Sequence, residues 1–314
     1  MSIQDFANLQ PFVRMVKIKR SVRLEGSWED LDHVFIYNAK GNADWVISGK
    51  RWHLPEGSCL LIPPYLSHLI VKIGNEELVQ YVLHVDLFED AERKLLPHQS
   101  AFRFEQKPAL PEKETLLHGK VLAASIPRKE RYTLERLFLN MYREFSQKSE
   151  GYELMLKGQA MQMAVMFVRN LPNEAKGSGV SSEQQAKSWR IVENALEYIY
   201  LHYSENLENA VIGDAAGVSP NYLSKLFQEY LGVSLHTYVQ NYRLEKAQQL
   251  LISGKYNISE IALRCGFSSI HTFSKSFKKE RGISPSACLE TAGKSALPAD
   301  AADYNQQQQI YYNQ

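Results

Sequence analysis

Two short stretches of this chain carry polar side chains at a spacing that could read the surface of DNA. Asn221, Ser224, Lys225 and Gln228 share one face of an apolar-periodic segment, and Ser269, His271, Ser274, Lys275 and Lys278 share the matching face of a later one. Amide, hydroxyl and imidazole groups can exchange hydrogen bonds with base edges, and lysines can neutralise phosphates. The residues between them, Leu223, Leu226 and Phe227 in the first segment and Phe273 and Phe277 in the second, recur at helical spacing and must face a core.

Each of these helices needs a partner to hold it, and the sequence supplies one just before it. Val211 to Ala216 and Ile258 to Cys265 are short apolar-periodic helices, and each is followed by a glycine, Gly217 or Gly266, suited to the left-handed conformation of a tight turn. Ser219 then offers an N-cap, with Pro220 at the first helical position. Ala216 and Ala262 are read as the small residues at which the paired helices cross. Together these features spell a helix-turn-helix twice. Between the two copies, Ser234 caps a helix with apolar positions at Leu235, Tyr238, Val239, Tyr242, Ala247, Leu250 and Leu251. That helix is a strut of about 27 Å at ~1.5 Å per residue. It is expected to hold two recognition helices one DNA turn apart, roughly 34 Å.

These residues resemble the AraC/XylS family of transcription regulators. The resemblance rests on Tyr222-Leu223-Ser224-Lys225-Leu226-Phe227, Gly232-Val233-Ser234, Arg243-Leu244 with Ala247 and Leu250-Leu251, Ile258 with Glu260-Ile261-Ala262, Gly266-Phe267, Phe273, Phe277-Lys278-Lys279 and Gly282-Ile283-Ser284-Pro285. It implies a seven-helix DNA-binding domain with two recognition helices, and places DNA contacts on Asn221, Ser224, Lys225, His271 and Lys275. Departures are Ala287-Cys288-Leu289, where the family usually has tyrosine followed by arginine, and Thr272, where an aromatic is common. Basic and acidic residues balance between Ser188 and Glu290, but Arg264, Lys275, Lys278, Lys279 and Arg281 gather in the second unit, which should carry most of the phosphate contacts.

The first part of the chain reads as β. Val34-Phe35-Ile36-Tyr37, Trp45-Val46-Ile47, Cys59-Leu60-Leu61-Ile62, His68-Leu69-Ile70-Val71 and Val79 to Val85 are short runs rich in β-branched and aromatic residues, separated by Gly- and Asn-containing turns. The spacing of Gly57, Pro63, Tyr65 and His68 is similar to the second cupin motif. A metal cupin needs two histidines and a glutamate in its first motif, and those positions hold Trp28, Asp30 and Val34, with His33 and His84 outside the pattern. No metal, cofactor or catalytic set is therefore expected; a metal-dependent cupin enzyme with an accessory helical domain is the alternative. Trp28, Tyr37, Trp45, Trp52, His68 and His84 are the candidate lining of a small-molecule pocket, since aromatic faces and hydrogen-bonding groups together suit a sugar ring.

The whole chain has 314 residues, a net charge of +1, 44% hydrophobic and 23% charged content, which is ordinary globular composition. Cys59, Cys265 and Cys288 lack metal-ligand spacing and suit a reducing compartment. No export leader or long apolar run is present, so the expected localisation is cytoplasmic, without a membrane. The expected class is α+β: a cupin-like β-barrel at residues 1–112 for ligand sensing, a helical hairpin at 113–172 for dimerisation, a flexible linker at 173–187, the double helix-turn-helix domain at 188–290 and a disordered tail at 291–314. In the hairpin, Leu134, Leu137, Phe138, Met141, Tyr142 and Phe145 share one apolar stripe, and Leu154, Met161, Ala164, Val165 and Val168 share a stripe on the second helix. In the family this region is the usual dimer interface. The expected partners are double-stranded promoter DNA, a second copy of the chain, a small-molecule effector of carbohydrate class, and RNA polymerase if the protein activates.

Overall fold

The computed structural model describes residues 8–21, 29–73, 77–101, 106–117, 119–172 and 183–294. Its chain divides into two compact units, residues 1–193 with 230–232 and residues 194–229 with 233–314.

The first unit is built on antiparallel sheets. Its strands are β1 (Phe12–Ser21), β2 (Glu29–Asp30), β3 (His33–Lys40), β4 (Ala43–Ile47), β5 (Lys50–Leu54), β6 (Ser58–Ile62), β7 (His68–Ile73), β8 (Leu78–Asp86), β9 (Ser100–Ala101) and β10 (Leu122–Ser125). A five-stranded sheet has the order β1-β8-β3-β6-β10, a three-stranded sheet the order β5-β4-β7, and β2 pairs with β9. A one-turn helix α1 (Ala91–Lys94) and a 3-10 turn (Glu112–Leu117) fill the connections. The hairpin follows as α2 (Arg128–Gln147) and α3 (Tyr152–Arg169).

Alternation along the strands divides the core into two layers. Val34 and Ile36 of β3, Leu60 and Ile62 of β6 and Val82 of β8 join Trp45, Ile47 and Ile70 in an inner layer. Phe35, Tyr37, Leu61, Leu83 and Val85, from the same strands, point the other way and pack against Leu134, Phe138, Met141, Leu156, Met163 and Phe167 of the hairpin. The five-stranded sheet is thus buried on both faces, which explains strands that read as continuous apolar runs.

Two of the expected divisions need correction. The strand β10 pairs with β6 in register Leu122↔Leu61 to Ser125↔Ser58, so the β domain does not close at residue 112; a short Leu-Ala-Ala-Ser run has too little β signal to be read alone. Helix α4 (Glu183–His202) begins inside the stretch expected to be linker. The rest of that stretch, residues 173–182, lies outside the described residues, as does Trp28.

The second unit contains α5 (Asn209–Ala215), α6 (Pro220–Leu231), α7 (Leu235–Ser253), α8 (Ile258–Arg264), α9 (Ile270–Arg281) and α10 (Pro285–Lys294). With α4 these are the seven helices the resemblance implied. Helix α10 runs four residues into the segment expected to be a disordered tail. Cys288, at a position where the sequence departs from the family, is buried in the core with Phe273 and Phe277.

A charged knot holds one end of the β domain together. Asp86 accepts from Arg14 Nε at 2.9 Å and from Arg93 Nη2 at 2.8 Å, and all three side chains are buried. Arg14 also donates to the carbonyls of Leu96 (2.7 Å) and Arg93 (2.6 Å), and Arg93 to that of Leu31 (2.8 Å). Replacing Asp86 with Asn keeps the shape but strands two buried guanidiniums. It should lower unfolding stability by about 3–5 kcal/mol, read by denaturant titration.

Candidate functional site

Both helix-turn-helix units are built by the same backbone bonds. In the first, α5 ends as Gly217 N donates to Asp214 O and Val218 N to Gly213 O, both at 3.0 Å. In the second, Gly266 N donates to Leu263 O and Phe267 N to Ala262 O, also at 3.0 Å. Gly217 and Gly266 have φ of +72° and +73°, the left-handed geometry expected of them. Ser219 Oγ accepts from Tyr222 N at 3.3 Å and Ser269 Oγ from Thr272 N at 3.1 Å, so each recognition helix has its cap. Helix α8 adds a capping box between Asn257 and Glu260.

These bonds correct one pairing drawn from the sequence. The partner of Ala262 in the first unit is Gly213, and Ala216 corresponds to Cys265. At Gly213 a Cβ would lie 2.9 Å from Val218 O, so the tight crossing in the first unit sits there. Gly213 lies inside the helix and lacks a positive φ, the feature that draws attention to a turn glycine.

Leu223, Leu226 and Phe227 are buried under α6, and Phe273 and Phe277 under α9. This leaves Asn221, Lys225 and Gln228 exposed with Ser224 half-buried among them, and His271, Lys275 and Lys278 exposed with Ser274 half-buried. Asn221 corresponds to His271, Lys225 to Lys275 and Gln228 to Lys278, so each helix presents one stripe of the same spacing. Ser269 is exposed but its hydroxyl is committed to the cap. Lys278, Lys279 and Arg281 crowd the last turn of α9, where cations also favour the helix dipole.

Helix α7, 19 residues long, joins the two units and ends at Gly254. Its buried Arg243 donates from Nε to Tyr203 O (2.8 Å) and from Nη2 to Glu205 O (2.6 Å), fixing the loop between α4 and α5. Tyr242 packs edge-on against Tyr203, with ring centroids 5.4 Å apart.

Of the candidate pocket residues that are described, Tyr37 stands apart from Trp45 and Trp52. Tyr37 faces the hairpin layer and donates to Glu135 Oε1 at 3.2 Å, away from Trp45 in the inner layer. Trp45 lies 6.0 Å from His68, centroid to centroid, and the indole N–H groups of Trp45 and Trp52 are buried without a hydrogen-bond partner among the described residues. His68 and His84 belong to a buried polar cluster. His68 Nε2 is 3.3 Å from Asp30 Oδ2; His84 Nδ1 is 2.9 Å from Asp32 Oδ1; His98 Nδ1 is 3.0 Å from Asp32 Oδ2. Burial works against ionised Asp32, yet His84 and His98 hold its carboxyl at about 2, and Asp30 is held low by His84 and His68. Desolvation depresses His84 to about 4. His98 was not foreseen: it stands in the Pro97-His98-Gln99 loop, where no periodicity marks it. An apolar pocket lies on the other side of the sheet, lined by Phe35, Leu83, Val85, Met163 and Phe167 among others.

A two-sheet β domain with a helical hairpin, joined in one chain to paired helix-turn-helix units on a connecting helix, defines the class. The family model described as AraC-like ligand binding domain matches residues 27–164, and that of a helix-turn-helix domain matches residues 212–291. The chain belongs to the AraC/XylS family of transcription regulators.

Among its relatives is the regulatory protein PocR of Salmonella typhimurium, 31% identical over 107 residues, covering 34% of this chain and 35% of that protein. Another is the xylose operon regulatory protein of Escherichia coli, 36% identical over 91 residues, covering 29% and 23%. These matches span well under half of either relative. A solved AraC-type transcriptional regulator from Chromobacterium violaceum is 32% identical, with 36% of this chain and 98% of that one covered and a TM-score of 0.33. Among the described residues no helix is long and apolar enough to cross a membrane.

The two turn glycines separate strain from crowding. At Gly217 nothing lies within 4 Å of an added methyl, so Gly217→Ala should cost only the left-handed penalty, roughly 1–2 kcal/mol. At Gly266 the same methyl would meet Tyr203 O at 2.6 Å. Gly266→Ala should therefore lower the unfolding free energy by more than Gly217→Ala in one denaturant series.

Proposed function

We propose that this protein is a non-enzymatic transcription regulator that binds double-stranded promoter DNA through the outward stripes of α6 and α9. The observation that carries this reading is the duplicated stripe: Asn221, Ser224, Lys225 and Gln228 on one capped helix, His271, Ser274, Lys275 and Lys278 on another, both within the matched helix-turn-helix region. Side chains that can read bases sit over an apolar underside that anchors them, and lysines concentrate in the second unit, where phosphate neutralisation is greatest. The site of action is the cytoplasm, and the expected mode is activation, with RNA polymerase as a further partner.

The β domain is the seat of a small-molecule effector of carbohydrate class. Two buried indole N–H groups, at Trp45 and Trp52, support this, because hydroxyl-rich ligands offer the acceptors they lack. The name of the xylose operon relative is in keeping with it. By linkage, an effector that alters DNA affinity must itself bind with affinity altered to the same degree by DNA.

A second copy of the chain is the remaining partner. The face of α3 opposite its buried residues Leu156, Ala160, Met163 and Phe167 exposes Leu154 (75%), Met161 (43%) and Val165 (37%), spaced along one stripe. At Gly158, between them, a Cβ would meet nothing within 4 Å. An apolar, narrow-waisted stripe of this kind suits close approach of the same helix from another chain.

Fluorescence anisotropy on labelled duplex from upstream of the gene, in increasing salt and against an unrelated duplex, tests the DNA reading. Tight, salt-sensitive binding to one fragment is expected. Lys275→Ala should weaken it by about 1–3 kcal/mol, and an unchanged affinity would remove Lys275 from the interface. In sedimentation at micromolar concentration the wild type should run as a dimer and the Met161→Glu, Val165→Glu double variant as a monomer; a monomeric wild type would end the dimer assignment.

A further inference from the structure

The buried polar cluster of the β domain has the composition and geometry of a metal site, although His68 alone keeps the usual residue among the metal-binding positions of the cupin motifs. One ligand atom from each of Asp30, His84 and His98 lies within 4.8 Å of the others, close enough for all three to reach one ion. They come from three separate segments, the end of β2, the strand β8 and the loop after α1, so the proximity is a product of folding. The two imidazoles lie 4.2 Å apart, centroid to centroid.

Asp32 sits behind the two histidines. Each of its oxygens faces the Nδ1 of one ring, at 2.9 Å for His84 and 3.0 Å for His98. With Asp32 accepting at Nδ1, each ring has Nε2 left to offer to an ion. That is the carboxylate–histidine arrangement that fixes the tautomer of metal-bound imidazole. His84 Nε2 is buried and has no hydrogen-bond partner among the described residues. His68, 3.3 Å from Asp30, plays the corresponding supporting part for the carboxylate ligand.

Charge points the same way. Asp30 and Asp32 place two carboxylates inside the domain, and the guanidiniums of the adjoining knot, Arg14 and Arg93, are committed to Asp86. Two buried carboxylates beside two imidazole rings form a donor set that suits a divalent cation. Two nitrogen donors and one oxygen select a first-row transition metal over Mg2+ or Ca2+, and three protein ligands leave positions open for an exogenous oxygen ligand.

We propose that Asp30, His84 and His98 bind one divalent first-row transition-metal ion of the Zn2+ or Co2+ kind in the β domain, with Asp32 as the positioning residue for both histidines. This inference stands apart from the DNA-binding reading and does not depend on it.

The test uses full-length protein stripped with chelator and desalted, then titrated with Co2+ by visible absorption and with Zn2+ by competition against a chromophoric chelator. Wild type should bind one equivalent and show a higher melting temperature with the ion than without. His98→Ala should weaken binding by roughly tenfold or more, and Asp32→Asn by roughly 10–100-fold while leaving some Co2+ signal. His53→Ala, an exposed histidine paired with Asp44 outside the cluster, should change nothing. Absence of saturable binding by the wild type overturns the proposal. So does wild-type affinity in His98→Ala, which would assign the ion to other groups of the chain. If Asp32→Asn does not fold, His98→Ala at its half-buried loop position decides alone.

Discussion

A carboxylate clasped between two buried guanidiniums, Asp86 with Arg14 and Arg93, is the interaction on which the functional end of the β domain depends. Each guanidinium has donors left over after Asp86 is satisfied, and these reach the carbonyls of Leu31, Arg93 and Leu96. Leu31 lies between Asp30 and Asp32, and Leu96 two residues before His98. The knot therefore sets the position of segments that carry most of the Asp-His cluster but have little regular structure of their own. Without it, two buried carboxylates and their imidazoles would have to be positioned by loops alone, at a desolvation cost those loops could not offset.

The second unit solves a different problem with repetition. A helix that reads DNA must expose polar residues and yet be rigid, and here rigidity comes from beneath. Phe227 packs edge-on against Tyr238 of α7, with ring centroids 5.6 Å apart, and Phe273 packs edge-on against Phe277 and tilted against Phe267. Arg243 spans from α7 to the loop after α4 by two charge-assisted bonds to carbonyls, and burial pushes the nearby Cys265 thiol up to about 12, keeping it an inert part of the core. The exposed stripes can then differ in chemistry, amide-rich on α6 and cationic on α9, without any change to the frame. Overall charge neutrality of the domain is no obstacle, because the cations are local.

Much of this was legible in the chain alone. Glycine after a short helix, serine before the next and aromatic residues at helical spacing specify local geometry through contacts a few residues apart, so the turns at Gly217 and Gly266, the caps at Ser219 and Ser234 and the buried undersides of α6 and α9 stand where their spacing placed them, whereas Ser269, read as an outward residue, caps α9. The central strands were readable for the same reason. Strand β10, with its weak apolar run, was not, since it exists only because β6 offers an edge. The small residue at the first helix crossing, Gly213, was likewise hidden, because what crowds it is a carbonyl beyond the turn.

The sequence by itself determined the duplicated helix-turn-helix, its outward residues and the β character of the first unit, all consequences of periodicity and of the dihedral preferences of single residues. Only the tertiary structure decided which side of the five-stranded sheet Tyr37 would occupy, and which histidines would meet Asp30 and Asp32. Strand alternation assigns two faces but does not say which one a helical hairpin will cover. His84 and His98 lie on different segments, and no local rule relates them; they become neighbours through pairing of β2 with β9 and the ion pairs around Asp86, interactions between residues far apart in the chain.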